Sequence, residues 1–144
     1  MCRVTSATTM TKCSPVLAMV LVASTAYAAE VTGPGRVVDG DTVDVGSVRV
    51  RLKGVDAAES GSVLGETATR VMKEIVGGSV LRCELTGEKT WKREVGYCFT
   101  LDGVDIGLAI IERGAALACA RYSTRYVKYE KAELLAVQPR ARYC

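Results

Sequence analysis

The sequence predicts an α+β domain: a small five-stranded Greek-key barrel carrying about three helices. Three observations predict it. Residues 35–55 alternate apolar and polar positions with period two and are rich in valine, as half-buried strands are. The apolar spacing changes to three and four between residues 65 and 76, then returns to short strand-like runs in "SVLRCEL" and "VGYCFT". The result is five short antiparallel-type strands with a helix inserted after the third, an order that suits a small Greek-key barrel.

Taken in order, "RVV", "DTVDV" and "VRVRLKGV" read as three strands, with Gly46-Ser47 as the hairpin turn between the second and third. A helix follows from about Gly65 to Val76. Its apolar face is Ala68, Val71, Met72, Ile75 and Val76, and Gly77-Gly78 ends it. Ser79–Leu85 and Val95–Thr100 are two more strands, joined by the polar stretch "TGEKTWKRE", which reads as a loop. Asp105 is placed to cap a short helix, Ile106–Arg113, that stops at Gly114. Ser123 or Thr124 caps a last helix running to about Val137, where Pro139 forbids continuation. Five short strands with a helix inserted after the third suit a barrel of the OB type.

The first 28 residues do not belong to that pattern. Arg3 and Lys12 precede the apolar run "VLAMVLVA", and Ala26-Tyr27-Ala28 is a small-x-small cleavage site. That order is a secretory signal peptide over residues 1–28, with Met10 an alternative start. A membrane anchor is the competing reading, but the run falls short of the roughly 20 apolar residues a bilayer needs. The mature domain is then residues 29–144, periplasmic or secreted, with no membrane contact after cleavage and read as a monomer.

Most of the net charge of +3 lies in the leader; without Arg3 and Lys12, 17 basic residues face 16 acidic ones. A nucleic-acid contact must therefore come from local placement of arginines, not from a whole-surface field. Four cysteines remain in the mature chain: Cys83, Cys98, Cys119 and Cys144. An even count in an exported chain reads as two disulfides, for which three connectivities exist. If the two strands around residues 83 and 98 pair antiparallel, Cys83 and Cys98 face each other, closing a loop of about 15 residues worth roughly 3 kcal/mol. A Cys119–Cys144 bond would then pin the C-terminus. Zinc is the alternative, but the chain has no CxxC pair and no histidine.

The absence of histidine also removes Ser-His-Asp and Cys-His nucleophile systems and imidazole acid–base chemistry. Carboxylates, arginines and an oxygen-ligated hard cation are what remain. These crowd into "VDGDTVDVGSVRVRLKGVDAAE", Val38 to Glu59. Gly40 allows the sharp break in Asp39-Gly40-Asp41-Thr42, and Asp56 and Glu59 follow the third strand. In a three-strand meander the first break and the last exit lie at one end, so Asp41 and Asp56 can converge. Arg49 and Arg51 share one face of the third strand, while Val48, Val50 and Leu52 face the core. Singly, the Asp-Gly pairs read as turn formers and Asp56 and Glu59 as solvated loop acids. Together with arginine, they form a set suited to phosphate-ester hydrolysis.

This set resembles the staphylococcal nuclease (thermonuclease) family, in the form found in exported bacterial homologues. The family's D-G-D-T break matches "DGDT", its R-x4-D-x2-E matches "RLKGVDAAE", and its further arginine matches Arg93 in "KTWKREVGYC". "LDGVDIGLAIIERGAALA" is similar to the family's turn and second helix. The resemblance implies a staphylococcal-nuclease-like OB fold and a Ca²⁺-dependent endonuclease acting on DNA and RNA. It implies that Asp41 and Asp56 bind Ca²⁺ through carboxylates, Ala57 through its backbone carbonyl, and that Asp39 holds a water of the cation's shell. Glu59 would be the general base, and Arg51 and Arg93 would bind the scissile phosphate. The family's Pro before the Glu is Ala58 here, and its D-x-Y-G-R approach reads "KTWKR", which makes Lys92 the nearest rival of Arg93. Trp91 stands where the family has a Tyr near the nucleotide, and either stacks on it or packs over the loop. Tyr122 either flanks the nucleotide or begins the core of the last helix. The competing functional reading is a binding module on the same barrel, holding nucleic acid, an acidic glycan or a protein without cutting it.

Overall fold

The structure, a computed structural model, describes residues 28–144. The signal-peptide reading of residues 1–28 therefore lies almost wholly outside the described residues, as do Cys2 and Cys13. Among the described residues no helix is long and apolar enough to cross a membrane.

Five strands close a ring: β1 (Glu30–Val37), β2 (Thr42–Val45), β3 (Val48–Leu52), β5 (Val80–Thr90) and β6 (Arg93–Thr100), in the order β1-β2-β3-β6-β5. A separate two-stranded ladder pairs β4 (Val55–Asp56) with β7 (Leu117–Ala118). The helices are α1 (Val63–Val76), α2 (Ile106–Glu112) and α3 (Ala132–Leu135), with a 3₁₀ turn at Val127–Tyr129. This is the α+β, OB-type barrel that the alternation of residues predicts. Ring closure comes from one parallel contact, β3 against β6 (Arg51 opposite Val95), whereas every other pairing is antiparallel.

The core follows the periodicities. Val43, Val45, Val50, Leu52 and Leu81 fill the barrel, while Ala68, Met72 and Val76 of α1 and Ile106, Ile110 and Ile111 of α2 close over it. Ser62 caps α1, which begins two residues earlier than the apolar spacing suggests, its hydroxyl accepting from the Gly65 N–H at 3.0 Å. Asp105 caps α2 as expected, accepting from Gly107 and Leu108. Tyr126, fully buried, donates its hydroxyl to the same carboxylate at 3.0 Å.

Four segments differ from their sequence-based reading. β1 starts at Glu30, well before "RVV", and the third strand, read to Val55, stops at Leu52, with Val55 in the β4–β7 ladder. The other two lie further along the chain. The stretch "TGEKTWKRE" is no loop: β5 runs to Thr90, and a tight turn at Trp91-Lys92 leads straight into β6. Polar ladder contacts hold this extension in place of apolar burial, with Lys89 paired to Glu94 at 2.8 Å and Lys53 to Glu88 at 2.6 Å. The last helix is also broken. Glu130 is extended, and its carboxylate accepts from the Ala118 N–H at 2.7 Å and from Arg140 at 2.9 and 3.2 Å. Those distant partners straighten the chain where a continuous helix would have kept it coiled.

Both disulfides form as Cys83–Cys98 and Cys119–Cys144. Cys83 lies directly opposite Cys98 on the β5–β6 ladder, 15 residues away in sequence. Replacing both by serine is expected to lower unfolding stability by about 3 kcal/mol in denaturant titration, the loop-closure entropy of a link of that span.

Candidate active site

Gly40 sets the position of the acidic turn. A Cβ there would lie 2.6 Å from the Cβ of Ala68 on α1 and 2.7 Å from the Cβ of Ala57, neither of which can rotate away. The turn is thus pressed between the helix and the segment leaving β4, and Asp41 is carried into the protein, only 9% exposed. The Asp41 N–H donates to the Asp39 carboxylate at 3.1 Å, which folds the turn on itself.

The Asp41 carboxylate meets three partners. Arg51 Nη1 lies 2.9 Å from Oδ2, the Thr42 hydroxyl donates to Oδ1 at 3.0 Å, and the Ala57 N–H donates to Oδ2 at 3.4 Å. Arg51 Nη1 also donates to the carbonyl of Val55 at 3.0 Å and, more weakly, to that of Asp41 at 3.4 Å. All these bonds use one nitrogen, leaving Nε and Nη2 without a hydrogen-bond partner among the described residues. Arg93 Nη1 reaches the Thr42 hydroxyl at 3.5 Å. A continuous polar bridge therefore links the two predicted arginines through Thr42 and Asp41.

Arg51 and Arg93 line a groove of about 630 Å³ together with Trp91 and Tyr122. Lys53, Lys89 and Tyr143 line it as well. Thr90 Oγ1, also on this groove, is buried with no hydrogen-bond partner among the described residues. Trp91 is 95% exposed and so not taken up in packing, whereas Tyr122 is half buried and lies tilted against Tyr143, ring centroids 6.5 Å apart. Lys92 lines a different concavity, so Arg93 is the arginine that this groove receives from the β5–β6 turn.

The remaining acids adjoin Asp41 from its other side, where the Ala57 N–H meets Oδ2 at 3.4 Å. Asp56, Ala57 and Glu59 line a second cleft of about 420 Å³, closed by Gln138–Ala141. Asp56 is 3% exposed, and its carboxylate accepts from the Ala141 N–H at 3.0 Å while its carbonyl accepts from Gln138 Nε2 at 3.0 Å. The Glu59 carbonyl holds the start of α1 through the Ser62 N–H and hydroxyl, at 3.3 and 2.8 Å. A Cβ on Gly65 would lie 2.0 Å from that carbonyl oxygen, so only glycine lets the helix approach it. The exposed Glu59 carboxylate makes no hydrogen bond among the described residues. Asp41 thus joins the arginine groove on one side to the segment bearing Asp56, Ala57 and Glu59 on the other.

Burial pushes the Asp41 carboxyl from 3.8 up to about 7, against the pull of Arg51 and with the help of the Asp39 carboxylate. A carboxylate that burial disfavours to this extent fits a divalent cation, whose charge would offset the same desolvation. Among the described residues no three acidic side chains converge closely enough to hold a metal by themselves. Asp41, Asp56 and the Ala57 carbonyl offer oxygen donors alone, the class a hard cation takes, with the Asp56 carboxylate engaged by the Ala141 N–H.

Sequence reasoning overlooked Thr42 as a bridge and Lys53 as part of the groove. Lys53 follows Arg49 and Arg51 at period two, a signal present in "RVRLK".

Comparison with known proteins assigns the geometry to a family. The sequence model described as staphylococcal nuclease homologue matches residues 49–143. The chain belongs to that family. It is 35% identical over 127 residues to the succinoglycan biosynthesis protein ExoI of Rhizobium meliloti (strain 1021), covering 80% of this chain and 66% of that protein. It is 31% identical over 93 residues to an uncharacterized endonuclease of Escherichia coli O157:H7, covering 62% of this chain and 61% of that one. A probable staphylococcal-like nuclease, CAN1, of Oryza sativa subsp. japonica is 32% identical over 96 residues, 64% of this chain and 28% of its own length. The chain spans at most 66% of the length of these three relatives.

Two outcomes follow from the turn. Gly40→Ala is expected to cost about 1–3 kcal/mol in denaturant titration, since two backbone-fixed methyl groups must move. The raised Asp41 carboxyl makes the folded, metal-free protein hold a proton that the unfolded chain has lost between pH 3.8 and about 7. Its stabilising contribution is complete below that window and is lost as pH rises through it. In chelator, unfolding curves of Asp41→Asn and wild type should therefore shift in favour of the variant from about pH 4 to about pH 8. A constant difference would show that the carboxyl titrates as an ordinary one.

Proposed function

We propose that this protein is an exported, Ca²⁺-dependent phosphodiesterase that hydrolyses DNA and RNA with little sequence preference. The observation that carries the reading is the bridge Arg93–Thr42–Asp41–Arg51, which sets two guanidinium groups on one groove while tying them to a buried carboxylate. Endonuclease and nuclease names among the relatives support the same reaction class. Two disulfides are bonds of an oxidising compartment, in line with export and with residues 29–144 as the mature domain.

Arg51 and Arg93 take the non-bridging oxygens of a phosphodiester through charge-assisted hydrogen bonds. Their hold tightens as water adds to phosphorus and negative charge grows on those oxygens. Glu59 accepts the proton of the attacking water. The new P–O bond forms as the bond to one ester oxygen breaks. That oxygen leaves with a proton from solvent, giving a phosphomonoester and a hydroxyl end. Asp41 and Asp56, with the Ala57 carbonyl, would hold Ca²⁺, and Asp39 would hold a water of its shell. Asp56 joins this set by giving up its bond from Ala141. The cation, when bound, supplies further positive charge at the phosphoryl oxygens. Trp91 and Tyr122 offer faces to bases or sugars.

A second reading, a binding module that holds a polyanionic chain without cutting it, is favoured by the engagement of Asp56 with Ala141 and by the printed name of the rhizobial relative.

Incubating the oxidised protein with plasmid DNA and with RNA, in Ca²⁺ or in chelator, separates the two. Cleavage in Ca²⁺ alone is expected, falling at least about 10²-fold in Glu59→Ala and in Arg51→Ala. Absence of cleavage by the wild type, or a Glu59→Ala variant as fast as wild type, would favour the binder.

A further inference from the structure

The tip of the β5–β6 hairpin stands between the arginine groove and a second concavity. Trp91 is the one non-glycine residue with positive φ (+56°) among the described residues, and its side chain is almost wholly in solvent. An exposed indole on left-handed backbone has no packing reason to be there. On its far side lies another concavity, of about 590 Å³, lined by Asp44, Gly46, Ser47, Arg49 and Lys92. Trp91 and Arg93 line both this concavity and the arginine groove, so the two flank the hairpin tip.

The outer concavity is positively charged. Its single acid, Asp44, is shared by two guanidinium groups: Arg49 at 2.7 and 3.1 Å, and Arg36 in a short ion pair. One carboxylate between two arginines leaves an excess positive charge, and Asp44 holds Arg49 in a fixed orientation. Lys92 makes no ion pair among the described residues and adds a second charge. Ser47, exposed on the β2–β3 turn, adds a hydroxyl.

We propose that the Ser47–Arg49–Lys92 concavity is a second binding site for single-stranded polynucleotide. It would take a backbone phosphate beyond the one held by Arg51 and Arg93, with Trp91 stacking on a base between the two. The proposal rests on the reading of Arg51 and Arg93 as phosphate binders. A basic groove interrupted by an aromatic platform is the arrangement that binds single strands without reading sequence. A strand crossing the tip occupies both grooves at once, so the site favours interior stretches of a polymer over its ends. A short fragment fills only one groove.

The test uses oxidised wild-type protein in chelator, which prevents cleavage, and fluorescein-labelled oligothymidylates from a dinucleotide to about a dozen residues. Anisotropy is expected to show affinity rising about tenfold once the strand is long enough to pass Trp91. That rise should vanish in Trp91→Ala and in Ser47→Glu, the latter a change on an exposed turn that the fold tolerates. Lys92→Ala should lower the slope of log affinity against log salt by about 0.7, the value for one single-strand phosphate contact. A length step of unchanged size in all three variants would overturn the second site and leave the cleavage reading standing. Wild-type protein that binds no oligonucleotide of any length at low salt would overturn both. Tighter binding of a sulfated glycan than of oligothymidylate would overturn the choice of polynucleotide as the occupant.

Discussion

The buried carboxylate of Asp41 is the junction on which the site and much of its surroundings depend. Burying a carboxylate is costly unless each oxygen finds a donor. Here the donors come from three separate stretches: Thr42 at the head of β2, Arg51 on β3 and the Ala57 amide beyond β4. Each stretch is held where it is partly because this one group must be satisfied. Gly40 makes the arrangement possible by letting the acidic turn sink between Ala68 and Ala57. Packing and chemistry are therefore decided at the same point.

That junction also explains the division of the site into two compartments. Arg51 and Arg93 belong to the barrel wall, Arg51 on β3, where it shares a face with Arg49, and Arg93 at the start of β6. Asp56 and Glu59 belong to the connection between barrel and α1, which the C-terminal segment covers. Asp56 is gripped by residues 138 and 141, themselves restrained by the Arg140–Glu130 pair and the Cys119–Cys144 bond. The arginines thus owe their position to the sheet, and the acids owe theirs to the chain's final wrap.

This difference decided what could be read in advance. Arg49 and Arg51 on one face, the Gly46-Ser47 turn and the facing cysteines on the β5–β6 ladder all follow from period two over a few residues. The Asp105 cap and the face of α1 are equally local. The straightened chain at Glu130 was not legible, because its cause is a bond to an amide 12 residues back and to an arginine 10 residues ahead. Nor was the partner of Asp56, which is 85 residues away. The extension of β5 through "TGEKT" was missed for another reason. Its support is ion pairing with Lys53 and Glu94 and not apolar alternation, so hydrophobic patterning carried no trace of it. The nuclease-type motifs compensated for these gaps, since Arg93 was assigned by its place in a motif and not by any predicted element.

The single parallel contact in the ring has a bearing on how the molecule comes into being. β3 and β6 join residues more than 40 positions apart, as β1 and β5 do, whereas the β2–β3 and β5–β6 hairpins unite near neighbours. Contacts of such separation are entropically late, because a long intervening loop must be closed before they contribute anything in return. Arg51 lies on one partner and Arg93 on the other. A half-folded chain, with its hairpins made but the β3–β6 contact still open, keeps these two arginines apart. The groove between the two arginines consequently exists only once that seam has closed.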